Sequence, residues 1–218
     1  MARILLGVTA SVAAVKVPEL YQALRDAGHV IRIVATDRSC HFFDVQSPDG
    51  IPRTTRNPEI CTLDADEWQG GGPEGRYVRG DAVLHIELRR WADLLLIAPI
   101  DANTLARFAL GLCEGCLGSV WRAWDHNKPI ILAPAMNTVM WNHPATCRHI
   151  TTIGQDQGID LTPGRESAPL IEAINNSRKG LSIVSPVNKV LACGDEGIGG
   201  MAGIAELVEA VNTSLSQR

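Results

Sequence analysis

Four short segments, "RILLGV" from residue 3, "VIRIVAT" from 30, "LLLIAP" from 94 and "IILAPA" from 130, are rich in Val, Ile and Leu and lack polar alternation. A strand with one wet face alternates apolar and polar residues, so runs of this kind read as strands buried on both faces, which implies a parallel sheet. Between the runs lie segments of helical period. The stretch "SVAAVKVPELYQALRDAG", for example, repeats apolar residues every three or four positions and stops at Gly28. Strand, helix, strand is the repeating unit. With right-handed crossovers it predicts an α/β fold, a doubly wound Rossmann- or flavodoxin-like parallel sheet flanked by helices, with ligands beyond the carboxyl ends of the strands.

With 218 residues and 45% apolar composition, the chain can fill a substantial core, and a single domain over 1–218 is expected. A formal charge of -4 and a pI near 5.9 leave no basic stripe for a nucleic acid. Lys16 interrupts the first apolar run, which reads as a strand rather than a signal peptide, and no segment reaches membrane-spanning length. The six cysteines are irregularly spaced in a chain too long to need disulfides, so reduced thiols and a cytoplasmic location are expected. Three stretches do not fit the repeat. Residues 69–81, dense in glycine and charge, predict a mobile loop, residues 154–180 read as an unassigned insertion, and the last few residues lose their apolar face and predict a frayed end.

Polar residues cluster where the proposed strands end. "GVTASVA" puts Gly7, Thr9 and Ser11 at a strand-to-helix turn, either as an anion-binding turn or as an ordinary helix cap. "TDRS" adds Arg38 and Ser39. "APIDANT" adds Asp101, Asn103 and Thr104, and "PAMNTVMW" adds Asn137. Four such clusters on one sheet edge would fit a planar, phosphorylated ligand such as flavin mononucleotide (FMN). His85, taken alone, reads as structural as readily as catalytic. Cys113 and Cys116 form a C-x-x-C without a second pair or a histidine at ligand spacing, so no metal is expected. "ACGDEGIGGMAG" from 192 places one cysteine in glycine-rich backbone that either approaches a ligand or merely connects.

Taken in order, "GVTASVAAVK", "DADEW", "VLHIELRRWADLLLIAPIDANTLARFALGLC", "RAWDHNKPIILAPAMNTVMWNHP" and "KVLACGDEGIGGMA" resemble the phosphopantothenoylcysteine decarboxylases of the flavin-containing cysteine decarboxylase superfamily. The resemblance implies FMN as cofactor and 4'-phosphopantothenoylcysteine as substrate, converted to 4'-phosphopantetheine in coenzyme A biosynthesis. In that family the cysteinyl unit is first oxidised to a thioaldehyde, which gives the electron pair of the departing carboxylate a sink. Loss of carbon dioxide leaves an ene-thiolate, which a proton and the returned hydride restore to a thiol.

By the same resemblance His85 handles protons and Cys193 is the thiol acid that ends the sequence. Asn137 orients the substrate, with Ala192 and Gly194 beside it, while Met140 and Trp141 form an apolar wall. Ser11, Val12, Ala13, Asp37, Arg38, Ser39, Phe42, Asp101, Ala102, Asn103, Thr104 and Ala135 match the flavin-contacting positions. Relatives imply a homo-oligomer, a trimer in the decarboxylases, with flavin between subunits and the histidine supplied across the interface. Glu114 and Gly115 depart from an Asp-Asn pair usual in the family. An oxidative peptidyl-cysteine decarboxylase would not require a thiol donor, so the "ACGDEGIGGMA" segment disfavours it. A phosphatase-regulating relative would carry acidic extensions, which the chain lacks.

Overall fold

A computed structural model describes residues 1–191 and 194–217. The four apolar runs form β1 (Arg3–Val8), β2 (Val30–Ala35), β4 (Leu94–Ile100) and β5 (Ile130–Pro134). Two short edge strands, β3 (Cys61–Thr62) and β6 (Leu181–Ile183), complete a sheet of order β3-β2-β1-β4-β5-β6. Every neighbouring pair is parallel. The direction of strand succession reverses between β1 and β4, which opens a crevice at their carboxyl ends. The expected doubly wound α/β fold is therefore the one observed.

Both faces of the sheet are buried, and successive residues serve opposite faces. Ile4, Leu6 and Val8 of β1, Leu94, Leu96 and Ala98 of β4, and Ile131 and Ala133 of β5 face one core. That core is closed by α1 (Val17–Asp26) and α8 (Ile204–Ser216). Leu5, Leu95, Ile97, Ile130 and Leu132 face the other. Here the cover is α2 (Leu84–Trp91), α3 (Ala102–Ala109), α4 (Gly115–Arg122), α6 (Pro144–Asp156) and α7 (Ser167–Asn176). Burying one Leu or Ile side chain contributes about 1.5–3 kcal/mol, so these paired faces supply the main stabilising term.

The periodic segment after β1 is not one continuous α-helix. A 3-10 turn over Val12–Lys16 precedes α1, which carries Pro18 in its first turn, where a missing N–H costs nothing. The stop at Gly28 is as read: its φ of 87° suits a residue without Cβ, and its N–H reaches the Arg25 carbonyl at 2.8 Å. Residues 69–81 are organised by Asp81, whose carboxylate accepts from the N–H groups of Gly71 and Val78 at 2.9 and 2.8 Å. Residues 154–180 hold the end of α6, a connection and all of α7, which lead the chain into β6. After β6 comes an antiparallel ribbon, β7 (Val187–Val190) and β8 (Glu196–Gly200). Only the four-residue α5 (Thr138–Trp141) separates β5 from α6.

Candidate functional site

At the crevice Thr9 joins the two central strand ends. Its buried hydroxyl donates to the Pro99 carbonyl at 2.9 Å and accepts from the Asp101 N–H at 2.8 Å. Three polar residues then start helices. Ser11 Oγ accepts from the Ala13 N–H at 3.3 Å, Asp101 Oδ1 from the Thr104 N–H at 2.9 Å, and Asn137 Oδ1 from the Val139 N–H at 2.8 Å. Asn137 also donates through Nδ2 to Asp195 at 3.0 Å, tying the end of β5 to the ribbon. A second tie is the Met136 N–H bonded to the Gly199 carbonyl at 2.9 Å.

The space between strand ends and ribbon is a cavity of about 430 Å³. Ser11, Val12 and Ala13 bound it on the β1 side and Phe42 on the β2 side. Asp101, Ala102 and Asn103 follow from β4, and Ala135, Asn137 and Met140 from β5. Apart from the Asn137 amide and the polar rim at Asp101 and Asn103, these side chains are chiefly apolar. A smaller cavity of about 240 Å³ shares Ala10, Asp101 and Asn103 with it and adds Thr36, Asp37, Arg38 and Thr104. Ten of the predicted residues thus meet around the larger cavity, and Asp37, Arg38 and Thr104 around the smaller.

The remaining predicted residues lie elsewhere or beyond description. Ser39 is fully buried and its hydroxyl donates to the Thr36 carbonyl at 2.6 Å, so it supports the turn from behind. Trp141, expected beside Met140, packs instead into the core that faces α6. Consecutive helical residues diverge by about 100°, so Met140 can face the cavity only if Trp141 faces away. Gly194 sits in the ribbon's loop with φ 88° and lines neither cavity. Ala192 and Cys193 lie outside the described residues. His85 opens α2, lines neither cavity, and contacts Glu67 through Nδ1.

Sequence reasoning missed Lys16, Lys189, Leu191 and Met201, which also line the larger cavity. Lys16 and Lys189 form no ion pair among the described residues, so two lysines add positive charge to a cavity whose walls are chiefly apolar. Lys16 lies on the turn begun by Ser11, which could have drawn notice. Lys189 depends on how the ribbon folds back and left no local signal.

An apolar slot joined to a polar one suits a ligand with a flat ring and a hydroxylated, charged tail. The Thr36 Oγ1 atom is buried without a hydrogen-bond partner among the described residues, a cost of about 1–3 kcal/mol that a ligand hydroxyl or phosphate would offset. Arg38, exposed and outside any ion pair among those residues, offers the positive charge. Asp64, on the same cavity, has its carboxyl pushed up chiefly by burial, with the N–H of Cys116 opposing that shift. FMN therefore fits the residues present.

The family model described as "Flavoprotein" matches residues 1–216. The chain belongs to the Flavoprotein family. It is 41% identical to the phosphopantothenoylcysteine decarboxylase of Mus musculus over 216 residues, covering 99% of this chain and 88% of the mouse protein. It is 43% identical to the enzyme of that name from Oryza sativa subsp. japonica, covering 92% and 74% of the two chains. Among solved structures, a cysteine-to-serine variant of such a decarboxylase, complexed with pantothenoylaminoethenethiol, matches with a TM-score of 0.77 at 37% identity, covering 99% and 98%. The FMN-binding protein AtHal3 matches with a TM-score of 0.72, also at 37% identity, covering 100% and 98%. The flavoprotein expectation drawn from the strand ends is thereby met.

Proposed function

We propose that this flavoprotein decarboxylates 4'-phosphopantothenoylcysteine to 4'-phosphopantetheine with FMN as cofactor, a step of coenzyme A biosynthesis. The observation that carries the reading is the placement of the Asn137 amide at an apolar cavity over the β1/β4 switch point, in a chain 41% identical to an enzyme of that name. The cavity wall of Val12, Ala102, Ala135 and Met140 would hold the ring, and Arg38, Thr36 and Asn103 the tail. FMN, when bound, would supply reversible two-electron redox chemistry to the cysteinyl unit.

The chain's residues do the rest. Asn137 Nδ2 holds the substrate carboxylate over the cavity, while its Oδ1 remains fixed by the Val139 N–H. Met140 and Val12 keep water from the carboxylate, whose negative charge is less costly to lose than to retain in an apolar space. Lys16 and Lys189 face an anionic substrate with positive charge. Cys193 serves as the final proton donor, since an ordinary thiol, with a pKa of about 8.5, is mostly protonated at neutral pH.

His85 handles protons for the cavity of a neighbouring copy, because within one chain it lines neither cavity. Exposed Val12, Val15, Leu110, Leu112 and Val139 near the cavities support an apolar contact between copies. We further propose that the assembly is a homotrimer acting on a small-molecule substrate, and that the protein is a cytoplasmic, single-domain enzyme. Among the described residues no helix is long and apolar enough to cross a membrane.

The test combines colour and mass balance. Purified protein should show a flavin spectrum and release one carbon dioxide per thiol formed. Cys193→Ser should still release carbon dioxide but stall before the saturated thiol, leaving oxidised product. A folded preparation that stays colourless and takes up no added FMN would overturn the reading.

A further inference from the structure

The segment "DADEW" carries three carboxylates within four residues, folded as the 3-10 turn Asp64–Trp68. Two of them are occupied in holding the turn. Asp64 Oδ1 accepts from the Cys116 N–H at 2.9 Å, fastening the turn to α4. Asp66 accepts from both Arg56 Nη atoms at 2.6 and 2.8 Å and from the Leu63 N–H at 2.8 Å. Arg56 continues to the Cys61 carbonyl at 2.6 Å, so the turn is also bound to β3.

The third carboxylate points elsewhere. Glu67 has a side chain only 3% exposed, and its Oε1 contacts Nδ1 of His85, whose side chain is 24% exposed. Oε2 is buried with no hydrogen-bond partner among the described residues. The neighbouring Cys116 thiol is pushed up chiefly by burial, then by the Glu67 charge and by a side-chain hydrogen bond to that carboxylate. A buried carboxylate is costly unless a cation or strong donor faces it, and a turn already secured by Asp64 and Asp66 gains little from a third anchor. Glu67 is therefore placed where its main contact is the imidazole.

We propose that Glu67 is a positioning residue for His85: its carboxylate accepts a hydrogen bond from Nδ1–H, fixes the ring in one tautomer and orientation, and leaves Nε2 as the proton acceptor. In a neutral imidazole one nitrogen donates and the other accepts, so the partner on one side decides the chemistry on the other. The inference rests on the reading that His85 serves the decarboxylation. It adds a second residue to that role, drawn from a segment 18 positions away.

The holoenzyme with ¹⁵N-labelled histidine tests it. In wild type, the neutral His85 ring should show protonated Nδ1 and unprotonated Nε2. Glu67→Gln, whose amide can either accept from Nδ1–H or donate to a bare Nδ1, should mix in the other tautomer and lower kcat by about 10- to 100-fold, a part of the roughly 100- to 10,000-fold that general acid–base catalysis supplies, with KM and flavin content unchanged. Cys116→Ala removes a neighbour of Glu67 but not the Nδ1 contact, and should leave tautomer and kcat unchanged. A wild-type ring protonated at Nε2 overturns the proposal whether or not the Glu67 variant folds, and so does a Glu67→Gln enzyme with wild-type kcat and tautomer. If His85→Gln instead retains full turnover, the catalytic reading of His85 fails while the tautomer measurement still reports on Glu67.

Discussion

The strand ends beneath the larger cavity and the ribbon beside it border the same space but are held by different forces. All seven residues of β4 are buried, and its neighbours β1 and β5 are nearly as enclosed, so that floor is fixed by apolar packing on two faces. The ribbon has no such cover: three of the four residues of β7 are exposed. It is tied down through the Asn137–Asp195 and Met136–Gly199 contacts. Segments with few buried apolar contacts open at lower free energy than core strands, so the floor can preorganise a cofactor while the ribbon admits and releases substrate. Damage to the ribbon should therefore appear in catalysis, and damage to the floor in stability.

Asn137 belongs to both regions, and its replacement should have the largest effect. Asn137→Asp keeps the size of the side chain but sets a carboxylate against Asp195 and against the substrate carboxylate. Two unfavourable like-charge contacts in an apolar space cost about 2–4 kcal/mol, or roughly 30- to 1000-fold in kcat/KM. Steady-state kinetics on flavin-loaded protein measure this. A variant within three-fold of wild type would separate Asn137 from substrate orientation and leave it only a tether.

Gly199→Ala breaks the ribbon's attachment without adding charge. A Cβ at Gly199 would run into the Met136 carbonyl oxygen, and backbone cannot swing aside as a flexible side chain can. Displacing β8 by that collision costs about 1–3 kcal/mol, so KM should rise roughly 5- to 150-fold. The melting temperature should stay close to wild type, since the ribbon contributes little burial. A large loss of thermal stability with unchanged KM would reverse the proposed division of labour.

The same division explains what the sequence revealed. "RILLGV", "VIRIVAT", "LLLIAP" and "IILAPA" announce β1, β2, β4 and β5 because burial on two faces demands uninterrupted apolar residues. Cys61–Thr62 and Leu181–Ile183 are too short to set a period, and edge strands need less of one. Ser11, Asp101 and Asn137 were legible because each caps a helix next to a strand end. The ribbon was not, since "EGIGG" takes its strand from pairing with Val187–Val190 and from close approach to Met136 and Thr138, neither of which leaves a local pattern. Family resemblance supplied the importance of His85. Its partner Glu67 became visible only when the 3-10 turn and α2 were brought together.

Thr9→Val examines the floor by the smallest change of shape. The Thr9 hydroxyl donates to Pro99 and accepts from Asp101, joining β1 to the start of α3. The Pro99 carbonyl would keep a partner, because the Thr9 backbone N–H also reaches it at 3.2 Å, but the Asp101 N–H would lose the hydroxyl. One stranded buried donor costs about 1–2 kcal/mol, which chemical denaturation should show as a lower midpoint with an unchanged slope. Because Asp101 still caps α3 through its own side chain, the cavity wall should hold its shape and kcat/KM should change less than about three-fold, under 1 kcal/mol. If Thr9→Val instead leaves stability intact and impairs turnover, the floor is not the preorganised half of the site, and the contrast with the ribbon fails.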